Sequence, residues 1–431
     1  MRIFGFIFIL VSFCSVAHAN VEMGGLLPFD TWRHNAIQTR PNAPLFIKSD
    51  RFPLVVRFPE TVKTDYAQKV LAHLEEAWRQ EFDVMGFRPP LPDHGEGGDD
   101  RFDLYISTDL EPGVGGYTSF SGFEESTTAA DAFGYVVIAN DIVDRLLRGV
   151  IAHELFHASQ MAYDWWEHLS FAEGTSVWIV KHVFPDEDIF WRYYKFFNAE
   201  PHRSLDFISL KSPFQYGTGM FYQFLDERFG ITQGRAPGTF IKNIWQDTGQ
   251  AGYVNQPNFL QTINQNLGGK IRVFNDLSAA WTEFGVWRLL VGSLSDSRHF
   301  PNADKWEKTE PQFDTIIAAT EKNTSGTSRN GNEPLSHSYI LFERSDEGEK
   351  NHHLSTEGAP GFHYTWQVIT FDANGVQESR VLKSRGSEPV DLDFMTINAS
   401  KIILVVSVLP GDDYNPETSP KPSAHYGYRL N

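Results

Sequence analysis

His153, Glu154 and His157, in the segment VIAHELFHASQ, have the residue types and spacing that hold a metal ion beside a proton acceptor. Residues four apart on a helix lie on one face, one turn above the other, so both imidazoles can reach a single ion. Glu154 adjoins the first of them and has the reach to take a proton from water at the ion's open position. The neighbours Val150, Ile151, Leu155 and Phe156 are apolar, as in a helix buried between a sheet and a cleft. A catalytic site of this type takes three protein ligands. A histidine six residues beyond His157 would fall at Tyr163, and Gln160 stands where that pattern needs glycine, so the third ligand lies elsewhere. Glu173 leads the candidates, because it is expected to open the next helix after a chain reversal and Gly174 beside it permits close packing. Asp164, Glu167 and His168, in the reversal itself, compete with it.

The elements that must position these residues are legible in outline. FPLVVRF, from Phe52 to Phe58, reads as a strand, and Thr61 to Met85 reads as a helix with Val70, Leu71, Leu74 and Trp78 at helical spacing, ended by Gly86. Strands are expected at Phe102–Ile106 and Phe133–Ile138, with PGVGGYTSFSG between them as a glycine-rich loop or irregular edge. Helical patterning follows over Ile142–Met161, about Glu173–Val183 and about Tyr216–Phe229, and continues to about residue 295. Near Thr320 the composition turns polar and rich in Gly, Asn and Ser, which predicts a linker over 320–334. SYILFE, YTWQVITF, SRVLKS and KIILVVSVL then predict an antiparallel β-sandwich over 335–431, with Tyr364 and Trp366 in its core.

HELFH followed by AEGTSVW resembles the gluzincin group, in particular the peptidase-MA-like set of secreted bacterial metalloproteases. That resemblance implies an α+β zincin-like metallopeptidase domain over 20–319, with its mixed sheet to about residue 140 and its helical part from about 141, ahead of the β-sandwich. It implies Zn2+ held by His153, His157 and Glu173, with Glu154 as the base that activates water for hydrolysis of a peptide or protein substrate. The segment QYGTGMFYQFLDERFG places a tyrosine three residues before a glycine, and the resemblance implies that Tyr216, with Gly219 in the pattern, donates a hydrogen bond to the oxyanion. Aminopeptidases of the group hold the substrate amine partly with a glutamate on the strand before the metal helix. The stretch matched to that strand, Gly134–Asn140, carries none, and none occurs between Thr127 and Ala152, which leaves Asp131 and Asp141 as the nearest acids. A cation taken from water needs a partner, so an endopeptidase acting on an extended internal segment is expected. The alternatives are a catalytically inactive zincin-like cell-surface binding protein and a hydrolase for a non-peptide bond such as an epoxide.

The remaining expectations concern location and partners. MR, an apolar run from Ile3 to Val16 and then Ala17-His18-Ala19 predict a cleaved signal peptide at residues 1–19 and a secreted or periplasmic protein. Cys14, the only cysteine, falls within it, so disulfides and thiolate ligands are excluded from the mature chain. A net charge of -18 without clustered Lys and Arg argues against nucleic acid. No membrane span is expected after signal removal, and the short stretch before the first strand leaves little room for a large pro-segment.

Overall fold

In the computed structural model the described residues are 39–431, except 187–189, 210, 250–254, 271–272, 297, 319–323, 373, 385–387, 413 and 419. The expected signal peptide lies outside them. Among the described residues no helix is long and apolar enough to cross a membrane.

Strands β1 (Leu45–Lys48), β2 (Leu54–Phe58), β3 (Phe102–Ser107), β4 (Gly116–Phe123) and β5 (Ala132–Ala139) form one sheet in the order β1-β2-β3-β5-β4. The pairs β2–β3 and β3–β5 are parallel, and the edge strands β1 and β4 run antiparallel to their neighbours. All of AFGYVVIA in β5 is buried, as a strand covered on both faces requires. Tyr105, Tyr117, Tyr135 and Val137 cluster together, while Phe120 and Ala132 pack with Met161 and Trp165. The segment read as a loop or irregular edge is therefore an eight-residue edge strand, with a register shift between Phe120 and Gly122. Its glycines and serines conceal the strand, because they interrupt the β-branched and aromatic run by which a strand is read in sequence.

Helix α1 (Thr64–Trp78) buries Ala67, Val70, Leu71, Leu74, Ala77 and Trp78 and packs against α2 (Asp144–Met161). The chain continues from α1 in a π-helical turn, Arg79–Val84, rather than as regular helix to Met85. Helix α2 starts after Val143, which is extended, and Asp144 sets a negative charge in its first turn, favourable to the helix dipole. Helix α3 (Leu169–Val183) begins before its expected start because His168 caps it, its Nδ1 accepting from Ser170 N at 3.2 Å. Glu173 accordingly sits one turn inside the helix. After α4 (Tyr194–Ala199), the single helix expected over Tyr216–Phe229 is broken at Thr218 into α5 (Phe214–Gly217) and α6 (Gly219–Leu225), followed by a π-helical turn over Asp226–Gly230. Helices α7 (Thr239–Thr248), α8 (Phe259–Asn266) and α9 (Asn275–Leu289) complete the helical part.

The chain divides into two compact units, one comprising residues to Phe190 with Ser209–Thr262, the other Trp191–Ile208 with Ile263–Asn431. This departs from a boundary in the linker expected at 320–334, part of which is strand β7 (Thr324–Thr327). In the second unit β6 (Thr315–Ile317), β8 (Ser336–Glu343), β10 (His363–Asp372), β11 (Gly375–Ser384) and β13 (Lys401–Leu409) form a sheet in the order β11-β10-β13-β8-β6. Strands β9 (Glu349–Glu357), β12 (Val390–Ile397), β14 (Gly427–Leu430) and β7 form another in the order β12-β9-β14-β7. All pairings are antiparallel except β6 with β8. Ile340, Trp366, Leu404 and Val406 from the first sheet share a core with Leu354, Phe394 and Tyr428 from the second. The alternate residues Tyr339, Leu341, Ile403 and Val405 pack against Val286 and Leu289 of α9 and Leu290, which ends it. Covering on both faces explains why KIILVVSVL is nearly continuous in apolar residues. Tyr364 and Trp366 are fully buried.

Candidate metal centre

The facing helices α2 and α3 bring His153, His157 and Glu173 together, each buried, with one ligand atom apiece within 4.8 Å of the others. His153 Nε2 and His157 Nε2 are 3.2 Å apart, and Glu173 Oε2 lies 3.5 and 3.6 Å from them. A tetrahedral ion with bonds of about 2.0–2.1 Å sets its ligand atoms about 3.3–3.4 Å apart, so the three separations suit one. The contacts of Glu173 at these distances are electrostatic rather than hydrogen-bonded, and its Oε2 is buried without a hydrogen-bond partner. Burial pushes His153 down to about 4, against the opposing pull of Glu173 and with the added effect of His157, so its imidazole is neutral at pH 7. Burial alone would raise Glu173, but its contacts with the two histidines outweigh that and hold it below the ordinary carboxylate range. Two imidazoles and a carboxylate, with Nε2, Nε2 and Oε2 converging on one point, fit a divalent cation.

The outer nitrogens are held as well. His157 Nδ1 stands 2.6 Å from Gln160 Oε1 and 3.3 Å from Ser176 Oγ, and His153 is hydrogen-bonded to the backbone of Ser176. Such outer contacts orient ligating histidines.

Glu154 is fully buried on α2 and meets the edge strand β4. Thr118 Oγ1 lies 3.0 Å from Glu154 Oε2 and 2.8 Å from the Glu154 carbonyl oxygen. A Cβ at Gly116 would stand 2.9 Å from the Val137 carbonyl oxygen and 3.1 Å from Glu154 Cγ, so only glycine leaves this carboxylate where it is. Glu154 Oε1 has no hydrogen-bond partner. Burial first, and then the charge of Glu173, push Glu154 well above the ordinary carboxylate range, with the Thr118 hydrogen bond opposing. A cation held by Glu173 reverses part of that push, since its charge replaces the net negative field.

Tyr216, on α5, stacks on His153 with ring centroids 5.9 Å apart and planes inclined by 21°. A Cβ on Gly174 would collide with Thr218 Oγ1 and the Tyr222 ring, and one on Gly219 would stand 3.0 Å from the Gly174 carbonyl oxygen. The glycine three residues after Tyr216 therefore lets α5 and α6 close onto the turn of α3 that carries Glu173.

Asp164, Glu167 and His168 are not in the metal-ligating group found among the described residues. They build the turn instead. Asp164 Oδ1 accepts from Trp166 N at 2.9 Å, Glu167 Oε1 accepts from His168 N at 2.7 Å, and His168 caps α3. The strand matched in sequence to the substrate-binding position, Gly134–Asn140, lies largely in β5, which is paired on both sides by β3 and β4; the strand that touches Glu154 is β4. Asp131 is buried and receives a hydrogen bond from Thr127 Oγ1. Sequence reasoning missed Gln160 and Ser176, and the contacts of Thr118 and Gly116 with Glu154. The signal for Gln160 was its place three residues beyond His157, on the same helical face; Thr118 and Gly116 belong to a partner strand that periodicity does not connect to α2.

No protein-family model matches the chain, and no curated protein does. Among solved structures, the pre-peptidase C-terminal domain of a collagenase from Bacillus anthracis is similar at 14% identity, over 28% of this chain and 99% of that domain, with a TM-score of 0.19. A likeness that slight carries no argument about fold or activity.

Proposed function

We propose that this chain is an exported zinc-dependent endopeptidase of zincin-like fold. The observation that carries the reading is the convergence of His153 Nε2, His157 Nε2 and Glu173 Oε2 at 3.2–3.6 Å from one another, with the Glu154 carboxylate on the same helix. Imidazole and carboxylate donors without thiolate suit zinc better than calcium or magnesium, which prefer all-oxygen sets. Zinc, when bound, supplies Lewis acidity to the scissile carbonyl and lowers the pKa of water toward about 7. Glu154 takes the proton from the attacking water and returns it to the leaving amine. Tyr216 donates its hydroxyl hydrogen to the developing oxyanion.

A peptide is favoured over an epoxide or another small electrophile by the position of β4. It is the edge strand of its sheet, and Thr118 and Gly116 on it touch Glu154, so a peptide added along that edge would run past the base. The residues of β4, GYTSFSGF, include no carboxylate to pair with a substrate amine, which favours internal cleavage. The test is zinc content and casein hydrolysis for the wild type and for Glu173→Ala. Roughly one zinc per chain, chelator-sensitive internal cleavage and loss of both in the variant are expected; unchanged zinc in Glu173→Ala would remove it as a ligand, and zinc without hydrolysis would leave the inactive binding protein.

A further inference from the structure

Gln160 is buried between the two helices that carry the three metal-site residues, and each end of its amide is committed. Its Nε2 lies 2.9 Å from the Ala172 carbonyl oxygen, 3.0 Å from Thr175 Oγ1 and 3.0 Å from Ser176 Oγ, all on α3. A carbonyl oxygen only accepts, so the amide nitrogen must face Ala172. Thr175 Oγ1 gives its own hydrogen to the Phe171 carbonyl oxygen at 2.8 Å, which leaves it too as an acceptor toward Gln160. The amide cannot then be flipped, and Oε1 is what meets His157 Nδ1 at 2.6 Å. An amide oxygen has no hydrogen to give, so Nδ1 carries a proton, and of the two neutral tautomers this selects the one whose electron pair is on Nε2. That is the nitrogen facing His153 and Glu173.

We propose that Gln160 is a positioning residue: through one amide it fixes the tautomer of His157 and fastens onto α2 the turn of α3 in which Ala172 precedes Glu173. The inference rests on reading His153, His157 and Glu173 as a metal site. Without Gln160, the tautomer of His157 with its proton on Nε2, the nitrogen 3.6 Å from Glu173 Oε2, is no longer disfavoured, and in it the electron pair a metal needs is occupied. Glutamate in place of glutamine keeps the acceptor for Nδ1 and loses the donor to Ala172, so the two variants separate the two tasks.

Long-range proton–nitrogen correlation on metal-free protein with nitrogen-labelled histidine reads the tautomer directly, and zinc affinity is read by competition with a chromophoric chelator. Wild type is expected to show His157 protonated on Nδ1; Nε2 protonation in the wild type overturns the proposal without any variant. Gln160→Met is expected to lose the single tautomer and to bind zinc 10- to 100-fold more weakly, the usual effect of removing a ligand's orienting partner. Gln160→Glu is expected to keep the Nδ1 proton. A Gln160→Met protein that retains the wild-type tautomer, or binds zinc within twofold of wild type, refutes the assignment. Should the wild type bind no zinc at all, the metal reading fails, while the tautomer measurement, made without metal, still decides the role of Gln160.

Discussion

Glu154 and Tyr216 differ in what each can do with a proton, and conservative substitution separates their roles. In Glu154→Gln the amide keeps the shape and the bond to Thr118 but cannot take a proton, so the variant is expected to retain zinc and lose hydrolysis. In Tyr216→Phe the ring that stacks on His153 remains and only the hydroxyl is lost. Turnover is expected to fall about 10²- to 10³-fold, the size of losing one oxyanion donor, with KM and zinc affinity little changed. Steady-state kinetics beside zinc titration checks this, and a change under about threefold would leave Tyr216 as packing support for His153. The pairing of His153 and His157 was readable because a helix period alone puts residues four apart on one face, with Glu154 beside the first of them. Glu173 could be ranked above its competitors, but its place one turn inside α3 could not be read, since the cap that sets it is a histidine, His168, rather than a usual capping residue. Gln160 was noticed only for not being glycine, because its partners Ala172, Thr175 and Ser176 lie on another helix.

At the scale of elements, the turn between α2 and α3 sets the distance between the histidines and Glu173, and it contains two buried carboxyl groups. Burial pushes Asp164 up to about 7 against the hydrogen bond from Trp166, and burial together with the charge of Asp164 pushes Glu167 well above the ordinary carboxylate range. For an acid whose folded-state pKa is raised, the native chain holds more protons than the unfolded chain between the two pKa values. The stability contributed by protonated Asp164 is thus full below about pH 4 and is lost as pH rises through about 7. Asparagine keeps the acceptor for Trp166 N and has no proton to lose. The stability of Asp164→Asn relative to wild type is therefore expected to rise by roughly 3 kcal/mol between about pH 5 and pH 8. Thermal or denaturant unfolding of both proteins at the two pH values measures the difference; a constant difference across that range would mean that the Asp164 pKa is not raised in the folded turn. None of this was visible in the sequence, where Asp164 and Glu167 looked like rival ligands. Strand β4 was obscured by its glycines and serines, and its contacts with Glu154 join residues distant in the chain, whereas β5 and α2 announce themselves by composition and period.

Across the whole molecule, the sequence located the β-rich C-terminal runs correctly but not the set of residues that folds with them. Trp191–Ile208, between α3 and α5, and the chain from Ile263 onward belong to the second unit. The reason lies in hydrogen bonds that composition does not reveal. Leu205 N donates to the Leu335 carbonyl oxygen at 2.9 Å and His337 N to that of Pro201 at 2.8 Å, while Glu333 accepts from Ser204 N at 2.8 Å. Asp206, only 2% exposed, receives Lys421 Nζ and the Tyr414 hydroxyl, both at 2.8 Å from Oδ2. Arg288 on α9 is fully buried, its Nε donating to Asn198 Oδ1 at 2.7 Å and its guanidinium lying 3.6 Å above the Phe197 ring. A cut at the polar stretch after Ser328 leaves Asp206 buried without Lys421 or Tyr414 and uncovers Val286, Leu289 and Leu290, whose packing partners lie on the removed strands. Stripping one partner from a buried ion pair costs about 3–5 kcal/mol, and exposed apolar clusters promote aggregation. A chain ending at Ser328 is therefore expected to be insoluble or to lose cooperative unfolding. Expression of that fragment, followed by sedimentation and a circular-dichroism melt, tests the division: a soluble fragment that melts cooperatively and holds zinc would restore a boundary near residue 330 and make the segment 191–208 a bystander.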